Sequence, residues 1–179
     1  MVTIRIPRRA LAALLVAAGA VGVIGAQAND PQLEKNLRQL FPSAKRFSAR
    51  TGNPPHFEVF APDPRTGAEA LSGLAFWTTE LEPLERGYDG PIKMLVGMDT
   101  KGILAGVIVV QHREPYGDRS IERPEFPAQF KGKNIRDPFK VGGDVDAVSG
   151  ASITIGSATR AIRNSSRRIA KALLAPPSQ

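Results

Sequence analysis

Ile92-Lys-Met-Leu-Val-Gly-Met98, Asp99-Thr-Lys-Gly102 and Ile103-Leu-Ala-Gly-Val-Ile-Val-Val-Gln111 read as two apolar runs of strand length around a four-residue loop ending in glycine. That arrangement predicts a β-hairpin. The runs are apolar at successive rather than alternate positions, as in strands buried on both faces, so the hairpin is expected at the centre of the core. Gly97 and Gly106, inside the runs, predict bulges or the close approach of another group. Immediately upstream, Gly87-Tyr88-Asp89-Gly90-Pro91 has the composition of a tight turn. Residues 71–79, which include the single tryptophan Trp77, read as a further strand, with Trp77 in the core.

Further toward the N-terminus, short strands are predicted over 46–49 and 57–61, followed by a turn-rich loop over 61–67. Leu33, Leu37 and Leu40 recur at helical spacing over 31–41, with Asp30 placed to cap that helix and Pro31 suited to its first turn. Beyond the hairpin, 112–139 is irregular, with a short helix near 124–130. From 157 to 174, Ala158, Ile162, Ser165, Ile169 and Leu173 fall on one line. Arg160, Arg163, Arg167, Arg168 and Lys171 lie largely off it, which predicts an amphipathic helix with a solvated basic face, ended by Pro176-Pro177. The expected fold class is α+β: one domain, a twisted antiparallel sheet with a central β-hairpin packed against a long C-terminal helix.

The first 28 residues have another character. Arg5, Arg8 and Arg9 precede an apolar run over 10–25, and Ala26-Gln27-Ala28 offers small residues before the polar Asn29-Asp30. These are the three parts of a secretory signal peptide. The run of about 16 residues is short for a span of roughly 20, although an uncleaved anchor has the same order of parts. Either reading places the remainder outside the cytoplasmic membrane, periplasmic or extracytoplasmic. The whole chain of 179 residues carries +7, but setting the leader aside leaves 21 basic against 17 acidic residues. So mild an excess, without a basic stripe interleaved with aromatics, does not support nucleic-acid binding. The absence of cysteine and the presence of only two histidines, His56 and His112, exclude disulfides, thiolate chemistry, iron–sulfur clusters and histidine-rich metal sites. No nucleophile elbow, phosphate-loop or dinucleotide fingerprint appears.

The chemistry concentrates in Asp146-Ala-Val-Ser149-Gly150-Ala151-Ser152-Ile-Thr154, just ahead of the last helix. Gly150 and Ala151 leave the backbone open to close approach. A helix start supplies unpaired N–H donors and partial positive charge, so the corner can accept a phosphate. Ser149, Ser152 and Thr154 bring hydroxyls to it. The same residues are also ordinary helix caps and turn formers, so the pattern alone leaves both readings open.

Asp146-x-x-Ser149-Gly150-Ala151-Ser152 resembles the flavinylation motif of the FMN-binding domain family. That family includes the G subunit of Rnf electron-transport complexes, the C subunit of the sodium-pumping NADH:quinone reductase and the flavin domains of the NosR and NirI regulators. Gly87-Tyr88-Asp89-Gly90-Pro91-Ile92, Val96-Gly97-Met98-Asp99, Gly102-Ile103, and His112-Arg113-Glu114 with Gly117 resemble the family's central hairpin in order and spacing. Residues 74–80 followed by the glycine turn look closest to the NosR type. The family commonly has Thr where Ser152 stands, and Glu-Thr-Pro-Gly where this chain has Glu114-Pro115-Tyr116-Gly117.

The resemblance implies FMN attached through a phosphoester to Ser152 by a flavin transferase, with Asp146 in the sequence the transferase reads. It implies a cofactor site built from Ser152, Ala151, Gly150, Ser149, Asp146, Thr154, His112 and Glu114, with Tyr116 as a further neighbour of the ring. Taken with the leader pattern, the expected organisation is a leader (1–28), a helix and strands of the same domain (29–70) and the FMN-binding domain (71–175). The implied function is that of an exported electron carrier serving a membrane or periplasmic respiratory partner, with no substrate turnover of its own evident. A periplasmic sensor that keeps the fold without passing electrons is the alternative.

Overall fold

The computed structural model describes residues 30–174; the expected leader lies outside them. The chain runs α1 (Pro31–Leu40), β1 (Arg46–Phe47), β2 (Phe57–Pro62), β3 (Glu69–Trp77), α2 (Thr78–Leu81), β4 (Lys93–Asp99), β5 (Leu104–Gln111), α3 (Glu125–Ala128) and α4 (Ser152–Ile169), the last continuing into a π-helical turn, Ala170–Leu174. The strands form one five-stranded sheet in chain order, each neighbour antiparallel. This is the α+β domain with a long C-terminal helix that the sequence predicts. Within it the hairpin β4–β5 occupies one end of the sheet rather than its middle; β3 is the central strand.

The sheet is covered on both faces, which accounts for the unbroken apolar runs. Leu74 and Phe76 of β3 and Met94, Val96 and Met98 of β4 pack with Ile155, Ala158 and Ile162 of α4. The alternate residues Ala75, Trp77 and Leu95 pack with Leu33, Leu37 and Leu40 of α1. Trp77 is therefore core on the face away from α4, with Lys93 Nζ 4.5 Å above its ring. Gly97 fulfils both of its expected roles: the β4–β5 register shifts beside it, and a Cβ there would stand 2.8 Å from the Phe41 ring. Asp30 caps α1 through Oδ1, which accepts from the Gln32 and Leu33 amides at 2.9 and 3.2 Å.

Four local expectations change. The strand expected to reach Thr79 ends at Trp77, because Thr78 turns its hydroxyl onto β4: it accepts from Met94 N–H at 3.1 Å and lies 3.2 Å from the Ile92 carbonyl, and the chain winds into α2. The last helix starts five residues earlier than its apolar line suggests, at Ser152. At its far end the π turn shifts the face by part of a turn. Leu173, on the expected line, is exposed, and Leu174 packs on the core instead. The basic face of α4 is also more than solvated. Arg160 pairs with Glu85 at 2.7 Å, Arg167 donates to the carbonyls of Ile135 and Asp137, and Arg168 donates to the carbonyl of Leu81. These guanidiniums fasten the helix to surrounding loops.

Candidate functional site

The start of α4 is an open helix end. Its N-cap is Ala151, which has no side chain to cap the first amides, and the first helical hydrogen bond runs from Ile155 N–H to the Ala151 carbonyl. Gly150 precedes it at φ +77°, the left-handed region that glycine enters without cost, and a Cβ there would meet nothing within 4 Å. Unpaired donors, the positive end of an 18-residue helix and empty space thus coincide. A cleft of about 220 Å³ opens there, lined by Gly150, Ala151, Ser152, Ile153 and Thr154 from the helix entry and by Tyr88, Pro115 and Tyr116 from two loops. Tyr88, Tyr116 and Ile153 are 70%, 53% and 57% exposed, so three large apolar surfaces face water around one helix end.

The two hydroxyls of the motif's last three residues part company. Ser152 and Thr154 are two positions apart, about 200° around a helix. Ser152 is exposed at the cleft. Thr154 is buried and its hydroxyl donates to Glu114 Oε2. Ser149 and Asp146 are at least partly open to solvent, and the Asp146 amide donates to Gln129 Oε1 at 2.8 Å.

Glu114, only 6% exposed, is the hub beneath this surface. Besides the Thr154 hydroxyl, its carboxylate accepts from the amides of Tyr88 and Asp89, each at 3.0 Å. Burial pushes its carboxyl up, but the Thr154 hydroxyl, the two amides and nearby His112 outweigh that and hold it below its ordinary value. The turn is laid directly on it: a Cβ at Gly87 would collide with Glu114 Oε1. His112 points elsewhere. Its Nδ1 accepts from the Glu114 amide at 3.0 Å and its Nε2 reaches Glu122 Oε1 at 3.0 Å, where it lines a different hollow beside β5. Six of the eight residues expected at the site, Ser149 to Ser152 with Thr154 and Glu114, therefore gather at the mouth of α4. Asp146 stands on the approach to it, and His112 is turned away. Sequence reasoning did not assign Tyr88 to the site. Its place in the glycine turn was the available signal. His56 is buried, with Nδ1 2.8 Å from the Pro54 carbonyl, and takes no part. Among the described residues there is no cluster of metal-ligating side chains, and no helix is long and apolar enough to cross a membrane.

The fold is an antiparallel sheet with a terminal helix whose uncapped start meets a glycine turn. Residues 87–166 match the model of the FMN-binding domain. The chain is similar to the G subunit of the ion-translocating oxidoreductase complex of Vibrio vulnificus (35% identical, covering 44% of this chain and 42% of the relative). It is also similar to the G subunits of the same complex from Erwinia tasmaniensis (31%; 62% and 53%) and Haemophilus influenzae (36%; 58% and 51%). The chain spans about half the length of these relatives. The matched segment takes in the turn, the hairpin, Glu114 and the start of α4.

Proposed function

We propose that this protein is an exported electron-transfer flavoprotein carrying FMN as a phosphoester on Ser152, serving a membrane-associated redox partner, as the name of its oxidoreductase-complex relatives suggests for theirs. FMN, when bound, supplies reversible electron uptake and release. The residues present fit the group. The uncapped amides at the start of α4 and the open space at Gly150 suit the phosphate, and Tyr88, Tyr116 and Ile153 offer apolar surface to the ring. Condensation of the Ser152 hydroxyl with the phosphate forms the O–P bond with loss of water, leaving one negative charge at the helix's positive end.

The observation that carries the reading is the contrast between hydroxyls: Thr154 is spent on Glu114, while Ser152 stands free at the cleft. Cleft size supports a covalent tether. At about 220 Å³ it is smaller than the roughly 300–1,000 Å³ usual for a small-molecule site. A flavin seated there would keep much of its surface exposed, which favours electron exchange and weakens noncovalent hold. Maturation then requires a flavin transferase, and an exported location makes a tether useful, since a group held without one would be lost by dilution.

The test is co-expression with a flavin transferase and intact mass of the exported protein. The expected gain is one FMN less one water, with fluorescence of the denatured band. Ser152→Ala should remove both. A flavinylated Ser152→Ala protein would reject the attachment site. Flavin that no membrane quinol or partner protein reduces would reject electron transfer in favour of a sensor.

A further inference from the structure

Glu114 holds a buried carboxylate whose three hydrogen-bond donors come from two distant parts of the chain, the Tyr88–Asp89 turn and the third residue of α4. All three donors are neutral. No lysine or arginine pairs with Glu114 among the described residues: its neighbour Arg113 leans toward Asp89, with Nη2 3.9 Å from Oδ1, and His112 pairs with Glu122. The negative charge is therefore held chiefly by neutral hydrogen-bond donors and by no direct ion pair, nearby His112 being paired with Glu122. It lies on the buried side of the helix start, opposite exposed Ser152. We infer that Glu114 is a positioning residue for the flavin. Its carboxylate ties the Tyr88 wall of the cleft to α4 and holds a fixed negative charge behind the cofactor. This rests on the cleft being the flavin site.

Two consequences separate this role from that of a mere staple. Tying the turn to the helix fixes the distance between Tyr88 and Ser152, and so the seat of a group attached to one and lying against the other. A fixed negative charge opposes the addition of electrons nearby, and so lowers the flavin's reduction potential. The charge acts through the medium and through Tyr88, so Glu114 is not a catalytic residue.

The experiment uses the full exported chain, flavinylated, as wild type, Glu114→Gln, Thr154→Val and Gly87→Ala. Three readouts are followed: amide hydrogen exchange at Tyr88 and Asp89, visible-region circular dichroism of the flavin, and its midpoint potential. Glu114→Gln removes the charge at constant shape. Exchange should rise about tenfold or more, because an amide loses a charged acceptor; the visible dichroism should change and the potential should become more positive. Thr154→Val loosens the tie but keeps the charge, so exchange should rise less and the potential should stay. Gly87→Ala pushes the turn off an intact carboxylate. It should alter the dichroism, and it carries the positional arm if Glu114→Gln fails to fold. Faster exchange in Glu114→Gln with unchanged dichroism and potential overturns the inference, as does a Gly87→Ala protein with wild-type dichroism. A wild-type protein that takes up no flavin fails at an earlier point: it rejects the cleft as a flavin site, a result distinct from a flavin that ignores Glu114.

Discussion

Glu114 and Asp144 are built alike and serve different ends. Each carboxylate collects two backbone amides and one side-chain donor. Asp144 accepts from Phe139 and Lys140 N–H at 3.1 and 2.6 Å and from Lys133 Nζ at 3.1 Å. Its donors lie within eleven residues, one of them is a cation that pairs with it, and the result is a locally stitched loop that carries Phe139 at φ 51°. Glu114 draws on partners 25, 26 and 40 residues away, none of them charged, and lies beneath the cleft. The same hydrogen-bond arithmetic shapes a loop in one case. In the other it joins two elements and leaves a net charge where the cofactor is proposed to sit.

The contrast can be broken most directly at Glu114 itself. Glu114→Ala leaves two amides and a buried hydroxyl without an acceptor, and should cost about 3 kcal/mol in urea unfolding. A loss equal to that of Asp144→Asn would erase the distinction. Next in size, Gly87→Ala should cost about 2 kcal/mol, because its Cβ runs into the carboxylate and the turn must move. Alanine at Gly142, where a Cβ meets nothing within 4 Å, carries only the strain of φ +76° and should cost less.

Acidification sharpens the comparison. Both carboxyls are held below their ordinary values of 4.5 and 3.8, Asp144 because the Lys140 amide, Lys133 and the Phe139 amide outweigh the effect of its own burial. A lowered folded value contributes stability that is complete above the unfolded value and fades as pH falls through the folded one. Thermal melting should therefore be steady from pH 7 to about 5 and decline below about 4.5, and the Glu114→Gln variant should lack the first part of that decline. The smallest effect is expected for Asp144→Asn, about 1 kcal/mol, since its site is partly exposed and retains one acceptor oxygen.

Much of this architecture was written in local pattern. The capped helix at Asp30, the hairpin and the amphipathic last helix each follow from periodicity and punctuation within a few residues. The motif at 149–152 likewise marked the helix mouth. What pattern could not supply was set at a distance. Thr78 leaves the strand because β4 offers it partners 14 and 16 residues on. The family resemblance pointed to Glu114, but its part in joining the Tyr88–Asp89 turn to Thr154 exists only once the fold brings these residues to it. The inward turn of Thr154 needed only the helix start, but the apolar line that reveals α4 begins later, at Ala158, because the first turn serves the cleft rather than the core. The π turn that turns out Leu173 had no signature in the spacing at all.

Phe41, just after α1, lies against β3 and β4 where Gly73 and Gly97 leave no side chain, 2.8 Å from the position of either missing Cβ. The segment that matches the flavin domain starts at 87, so it contains neither this aromatic lid nor the middle strand of the sheet. Dissecting the protein at that boundary would uncover the α1-facing side of β4 and its β3-facing edge at once and yield a fragment prone to clump. A fragment that keeps the sheet covered must therefore include α1 as well as the matched segment.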